Sequence, residues 1–197
     1  MIRDVLEDAR CAPSNSNTQP WAVHIVSGAP RDRLSAALLT AAREGRESLD
    51  FVYDSALYPP PYGDWRRAQG YSYYAAMGIA RGDRAARIEA HLDNLRFFGA
   101  PHVALLFMPA VADNVRVAGD VGMYGQTFLL SLAARGLGGE PQTAVSMFAG
   151  TIREELKITP DFRLLFAISF SLPDPDRPAA GWRTDRAAIE ESVTFHS

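Results

Sequence analysis

The chain has 197 residues, a length that suits one domain burying roughly 70% of the surface its unfolded form exposes. With 47% apolar residues, 22% charged residues and a net charge of −3, it has the balance of a globular protein and lacks the basic excess that nucleic-acid binding requires. The single cysteine, Cys11, excludes an internal disulfide and a multi-cysteine metal site.

Neither a signal pattern nor an apolar run of membrane-spanning length is present, so the expected location is the cytoplasm. All the basic residues except Lys157 are arginine. A coding bias accounts for that, although arginine also gives planar, bidentate contacts to phosphate.

Ile2, Val5, Leu6 and Ala9 recur at helical spacing, and Pro13 holds Ala12 extended, so a short first helix stops there. Cys11 lies among these apolar positions and is expected to be a small buried filler. A loop comes next, with Ser14, Asn15, Ser16, Asn17, Thr18 and Gln19 between two prolines. Each carboxamide offers donors and an acceptor in one plane, which suits the polar edge of a flavin or a nucleobase. The same residue types are ordinary turn formers.

Trp21 to Ser27 reads as a strand. Pro30 opens a helix with Leu34, Leu38 and Ala41 on one face and Gly45 at its end. From Ser48 to Asp83 the chain is aromatic and irregular, with seven tyrosines and tryptophans and a triple proline at 59–61. A cap over a ligand, or a helical subdomain packed on the core, would use such a stretch. Ile88, Leu92 and Leu95 mark another helix, ending near Gly99, and His102 to Met108 is apolar enough for a buried strand.

Val117 to Arg135 predicts a long helix buried nearly all round, with Val121, Tyr124, Phe128 and Leu132 on one side and Met123, Leu129 and Leu130 filling the rest. Gly119, Gly122 and Gly125 weaken a helix by ~1 kcal/mol each, so they suggest either close approach of another backbone or a loose helix start. GLGG at 136–139 reads as a helix terminus and turn. Thr151 to Leu156 is helical, Leu164 to Leu172 is a strand, and the tail is rich in proline, aspartate and glycine.

Side-chain catalytic devices fail on spacing: there is no GxxxxGK, GxGxxG, GxSxG or HExxH, and the four histidines lie far apart. The hard chemistry then falls to a bound cofactor.

Seven blocks carry a family resemblance: APSNSNTQPW, YPPPYGDWRR, MGIARGDRAAR, NLRFFGAP, DVGMYGQTFLLSLAARGLGGEPQ, IREELKITPDFRLLFAIS and RTDRAAIEESVTF. In this order they resemble the FMN-dependent nitroreductases, in the branch acting on nitroaromatic compounds. The resemblance implies a single α+β domain over residues 1–197: a mixed β-sheet flanked by helices, a long central buried helix, and residues 48–99 as an aromatic cap. It further implies an intertwined homodimer whose chain ends embrace the partner, with no nucleic-acid or membrane partner.

The implied activity transfers hydride from NADH or NADPH through flavin N5 to nitroaromatic, quinone or related small acceptors. By the same resemblance, Ser14, Asn17 and Gln19 contact FMN across the dimer interface. Pro141 packs on the ring, and a backbone N–H within Gln142, Thr143 and Ala144 donates to N5. Arg66 and Arg67 are candidates for the charge that develops near N1 and O2, although exposed arginine pairs are commonly just solvated. Arg183 and Arg186 match the positions at the FMN phosphate.

Two departures stand out. The usual N-terminal arm has no counterpart before Ile2, which implies weaker phosphate binding or, as an alternative function, a flavin-binding dimer without turnover. Glu140 puts a carboxylate where family members often carry the cysteine of TCPQ.

Overall fold

The computed structural model describes residues 1–111 and 114–196. In chain order the principal elements are α1 (Ile2–Ala9), β1 (Ala22–Ser27), α2 (Ala29–Arg43), α3 (Tyr62–Ala76), α4 (Arg84–Leu92), β2 (His102–Pro109), α5 (Asn114–Ala134), β3 (Gly138–Gln142), α6 (Thr143–Ser146), α7 (Ala149–Leu156) and β4 (Phe162–Ser171). They divide into two compact units, residues 1–53 with 88–173, and residues 54–87 with 174–196.

The first unit is built on one sheet in the order β1-β2-β4-β3. All three pairings are antiparallel, with Ala22 opposite Phe107, His102 opposite Phe170 and Gly138 opposite Ser171. The α+β class is as expected, but in place of the expected mixed sheet the named strands form an antiparallel one. The parallel pairing that is present is a lone bridge between Ser48 and Phe148.

β2 shows why this sequence specifies two layers of helix. Its residues from Val103 to Met108 are all buried, and alternation sends them to opposite faces. Val103, Leu105 and Phe107 join a core with Leu34 and Leu38 of α2 and Ile152 of α7. Ala104, Leu106 and Met108 join a second core with Val5 of α1 and Val121, Tyr124, Phe128 and Leu132 of α5. Across the sheet Asp50 ties the segment before α3 to β4, its Oδ2 accepting from Leu164 N–H at 2.7 Å and from Arg153 Nη2.

Three sequence expectations are corrected here. α5 is buried along one face, not all round: Asp120, Val121, Tyr124, Gly125, Phe128, Ser131 and Leu132 turn inward, while Val115, Met123 and Leu130 are exposed. The tight glycine on that helix is Gly125, where an added Cβ would lie 2.8 Å from the Phe166 ring, so a side chain and not a backbone makes the close approach. Gly119 and Gly122 face open space. Cys11 is exposed, because α1 ends at Ala9 and it is Ala12 that turns into the core. Its thiol donates to Glu7 O at 3.4 Å.

In the second unit the aromatic stretch is largely helical rather than irregular, since α3 runs for 15 residues. Gly63 in its first turn lies against Tyr58 O, where a Cβ would come within 2.8 Å. Tyr62 and Trp65, one turn apart, meet edge to face at 5.5 Å. None of the described helices is long and apolar enough to cross a membrane.

Phe128 is fully buried and meets Phe170 edge to face at 5.3 Å. Phe128→Ala should therefore destabilise the protein by about 3–5 kcal/mol, which a urea unfolding midpoint would measure.

Candidate functional site

The loop after α1 is one of two clusters of left-handed backbone in the first unit, the other lying at Phe97–Gly99. Ser16, Asn17 and Gln19 have φ of 50°, 56° and 47°, a left-handed conformation that costs non-glycine residues on the order of 1 kcal/mol each. Three such residues within four persist only where the surroundings hold them.

Two hydrogen bonds do so: Gln19 N–H donates to Ser14 Oγ at 2.9 Å, and Asn15 N–H donates to Asp120 Oδ1 at 3.0 Å. Asp120 is only 4% exposed and sits in α5, so the loop is pinned to the central helix. Gln19 Nε2 donates to Asn17 Oδ1 at 3.2 Å, which sets two of the predicted side chains beside each other at an exposed rim. At the loop's exit the Trp21 ring lies 5.0 Å from that of Tyr124, another α5 residue. Burial pushes the Tyr124 phenol up to about 12. Ser14, Asn17 and Gln19 are thus brought together, and Asp120 is the functional residue that sequence reasoning missed. Its signal was an acid at the inward spacing of an apolar helix, four residues before Tyr124.

The second group sits where β3 runs into α6. GLGG forms the expected helix terminus and turn in its first half, where Gly136 has φ +70° and Leu137 N–H donates to Leu132 O at 3.0 Å, while Gly138 and Gly139 begin β3. Gly139 is required there: a Cβ would lie 2.7 Å from Leu129 and 2.9 Å from Leu132, both on α5. Strand alternation gives Pro141 the face of Gly139, and Gln142 the opposite one. Gln142 is 1% exposed and its Nε2 donates to Asn94 O at 2.9 Å, while its Oε1 is buried without a partner. The Gln142 side chain therefore braces the corner rather than facing solvent. Pro141 and Thr143 are exposed and Ala144 is half-buried. Because α6 begins at Thr143, its first amides have no acceptor within the helix. Glu140 is exposed on β3, and partial desolvation of its carboxyl raises it above the ordinary glutamate range.

α5 carries both groups. Asp120 and Leu129 are nine residues apart, which is about 14 Å along a helix axis.

The four predicted arginines belong to the second unit. Arg66 and Arg67 are exposed on α3, and Arg67 pairs with Asp64 one turn earlier. Arg183 Nη1 donates to Ala180 O at 3.1 Å and Trp182 O at 2.8 Å. Arg186 Nη1 donates to Thr184 O and Asp185 O, both at 3.0 Å, and also to Thr184 Oγ1. The structure thus sets the predicted residues in three groups: the amide loop, the β3–α6 corner, and the arginines of α3 and the tail.

A strained, amide-rich rim suits a planar heterocycle carrying alternating donors and acceptors. Comparisons with known proteins show the family. The model of the nitroreductase family matches residues 1–170. Nitroreductase NfnB of Mycolicibacterium smegmatis is 44% identical over 194 residues, spanning 98% of this chain and 82% of its own length. The 4-nitrobenzoate reductase of a Nocardioides species is 35% identical over 201 residues, spanning 98% of this chain and 80% of its own. The crystal structure of the FMN-dependent nitroreductase NfnB from Mycobacterium smegmatis in complex with NADPH superposes with a TM-score of 0.95 at 43% identity, covering 100% of this chain and 87% of that one.

The geometry of Asp120 and Glu140 gives two expected outcomes. Asp120→Ala leaves the Asn15 amide without its acceptor and should cost about 1–3 kcal/mol of stability, with faster hydrogen exchange across residues 14–19. Asp120→Asn retains an acceptor oxygen and should stay close to the unaltered protein. For Glu140 the raised carboxyl means that the folded state disfavours the charge, so stability is lost as pH rises through the ordinary glutamate value toward the folded one. Because Glu140 is exposed, Glu140→Gln should raise the melting temperature at neutral pH only slightly, and the gain should vanish at about pH 3, where glutamate is protonated in both states.

Proposed function

The chain belongs to the nitroreductase family, and from that membership we propose that it is an FMN-dependent reductase passing electrons from NADPH to nitroaromatic compounds. The observation that carries the reading is the amide-rich loop, left-handed at Ser16, Asn17 and Gln19 and held by Ser14 and Asp120. Strain of this kind is retained where a ligand needs the shape in advance. The relatives support the cofactors, since solved nitroreductases at 43% and 30% identity are described as FMN-dependent in complex with NADPH, and as FMN- and NADPH-dependent.

Ser14, Asn17 and Gln19 would hold the polar edge of FMN, with Pro141 against the ring and an amide among Gln142, Thr143 and Ala144 donating to its nitrogen. Arg183 and Arg186 would take the phosphate, and Arg66 and Arg67 would stabilise negative charge on the reduced ring. When bound, FMN would supply two-electron chemistry, by which a hydride equivalent from NADPH and one proton convert a nitro group into a nitroso group and water. The chain's own task is to bind, orient and shield, and it needs no side-chain nucleophile.

The working unit is a homodimer. Val115, Gly119, Met123, Gln126 and Leu130 form an exposed stripe at helical spacing on α5, and Gly119 and Gly122 leave it open to close approach. A second copy packed there would complete the burial that the apolar sequence of α5 calls for. Residues 1–197 act as one such domain, and the exposed, unpaired Cys11 fits the reducing cytoplasm.

Purified protein given FMN should show a bound-flavin absorption band, sediment as two chains, and oxidise NADPH with 4-nitrobenzoate far faster than free FMN does. Leu130→Arg should lose the dimer and the flavin together. Oxidation no faster than with free flavin would overturn the reading.

A further inference from the structure

We propose that Trp182 is a positioning residue that pins the arginine-bearing tail to α3 and so fixes where Arg183 and Arg186 present their guanidinium groups. The inference rests on the reading of those two arginines as the phosphate site.

Its observations all lie within residues 54–87 and 174–196. Every described residue from Asp174 to His196 is exposed except Ala179 and Trp182. Trp182 is held in two ways by consecutive residues of α3. Its indole Nε1–H donates to Ser72 Oγ at 2.8 Å, and its ring meets that of Tyr73 at 5.3 Å and 61°. The chain arrives through a tight turn in which Ala179 has φ +63° and Trp182 N–H donates to Ala179 O at 2.9 Å.

The arginines beyond Trp182 depend on this anchor. The Arg183 Cα is ~3.8 Å along the chain from that of Trp182, and the Trp182 carbonyl itself accepts from Arg183 Nη1. Arg183 and Arg186 both spend Nη1 on local backbone carbonyls. Among the described residues neither Nε nor Nη2 of either guanidinium is hydrogen-bonded. That leaves one edge of each fork for two oxygens of a phosphate, the geometry in which arginine binds anions best. A tail fixed before the ligand arrives avoids ordering its backbone at binding, and an unanchored tail cannot.

Trp182 therefore acts on affinity for the phosphate and not for the ring, and FMN compared with riboflavin separates the two. Titration of each flavin, followed by its fluorescence, should show unaltered protein preferring FMN. Trp182→Ala should weaken FMN about tenfold, the equivalent of one hydrogen bond and its packing, and leave riboflavin within about twofold. Ser72→Ala and Trp182→Phe each remove the indole hydrogen bond while sparing most of the packing. They should shift FMN in the same direction by a smaller factor, which keeps the test available if Trp182→Ala does not fold. An FMN-to-riboflavin ratio unchanged in all three variants would overturn the proposal while leaving the cofactor reading intact. Failure of the unaltered protein to bind either flavin would overturn the cofactor reading and the proposal with it.

Discussion

The two-sidedness of α5 is the constraint on which the first unit depends. Its inner face closes the second core through Tyr124, Phe128 and Leu132 against Leu106, Ile168 and Phe170. From that same face Asp120 fixes the loop after α1, and Leu129 and Leu132 demand a glycine at position 139, which sets the path of β3. Moving α5 would displace both candidate binding segments at once. The docking of α1 adds a polar latch, since Asp8 Oδ2 accepts from Ser131 Oγ and Arg135 Nη1, both at 2.7 Å. Those hydrogen bonds hold the Asp8 carboxyl below the ordinary aspartate range.

Much of this arrangement is legible in the sequence because burial on both faces of a strand leaves a plain mark. HVALLFM at 102–108 could only be a covered strand, and Leu34, Leu38 and Ala41 could only face one side of a helix. β3 is not legible, because GGEPQ has neither the branched side chains nor the aromatic residues that mark strands. Its conformation comes from pairing with β4 and from space left by Leu129 and Leu132, and neither is local. The sidedness of α5 is hidden for a different reason: an apolar residue reads alike in sequence whether it is buried or left exposed. Cys11 misleads by helix phase, as α1 stops short of it.

Of the candidate site, the clustering of polar residue types is legible and the scaffolding is not. Asn17 and Gln19 are conspicuous as a cluster of carboxamides. Nothing in their spacing foretells a left-handed backbone or a buried acid 105 residues away to hold it. Gln142 shows the converse, being conspicuous in sequence beside Pro141 yet spending its side chain on Asn94. Residues conspicuous for what they could touch include some that keep the others in place.

The two kinds of candidate contact obey different physics, and the fold treats them differently. Neutral amides discriminate by direction, so their value depends on a fixed backbone, and the loop stores strain to obtain it. Arginines attract phosphate over longer range and tolerate motion better, yet the bidentate geometry that makes them selective is directional again. A tail of exposed turns supplies charge without effort but not direction. The same requirement thus recurs in both units and is met by a polar anchor on a helix: Asp120 for the amide loop, and Ser72 with Tyr73 for the tail.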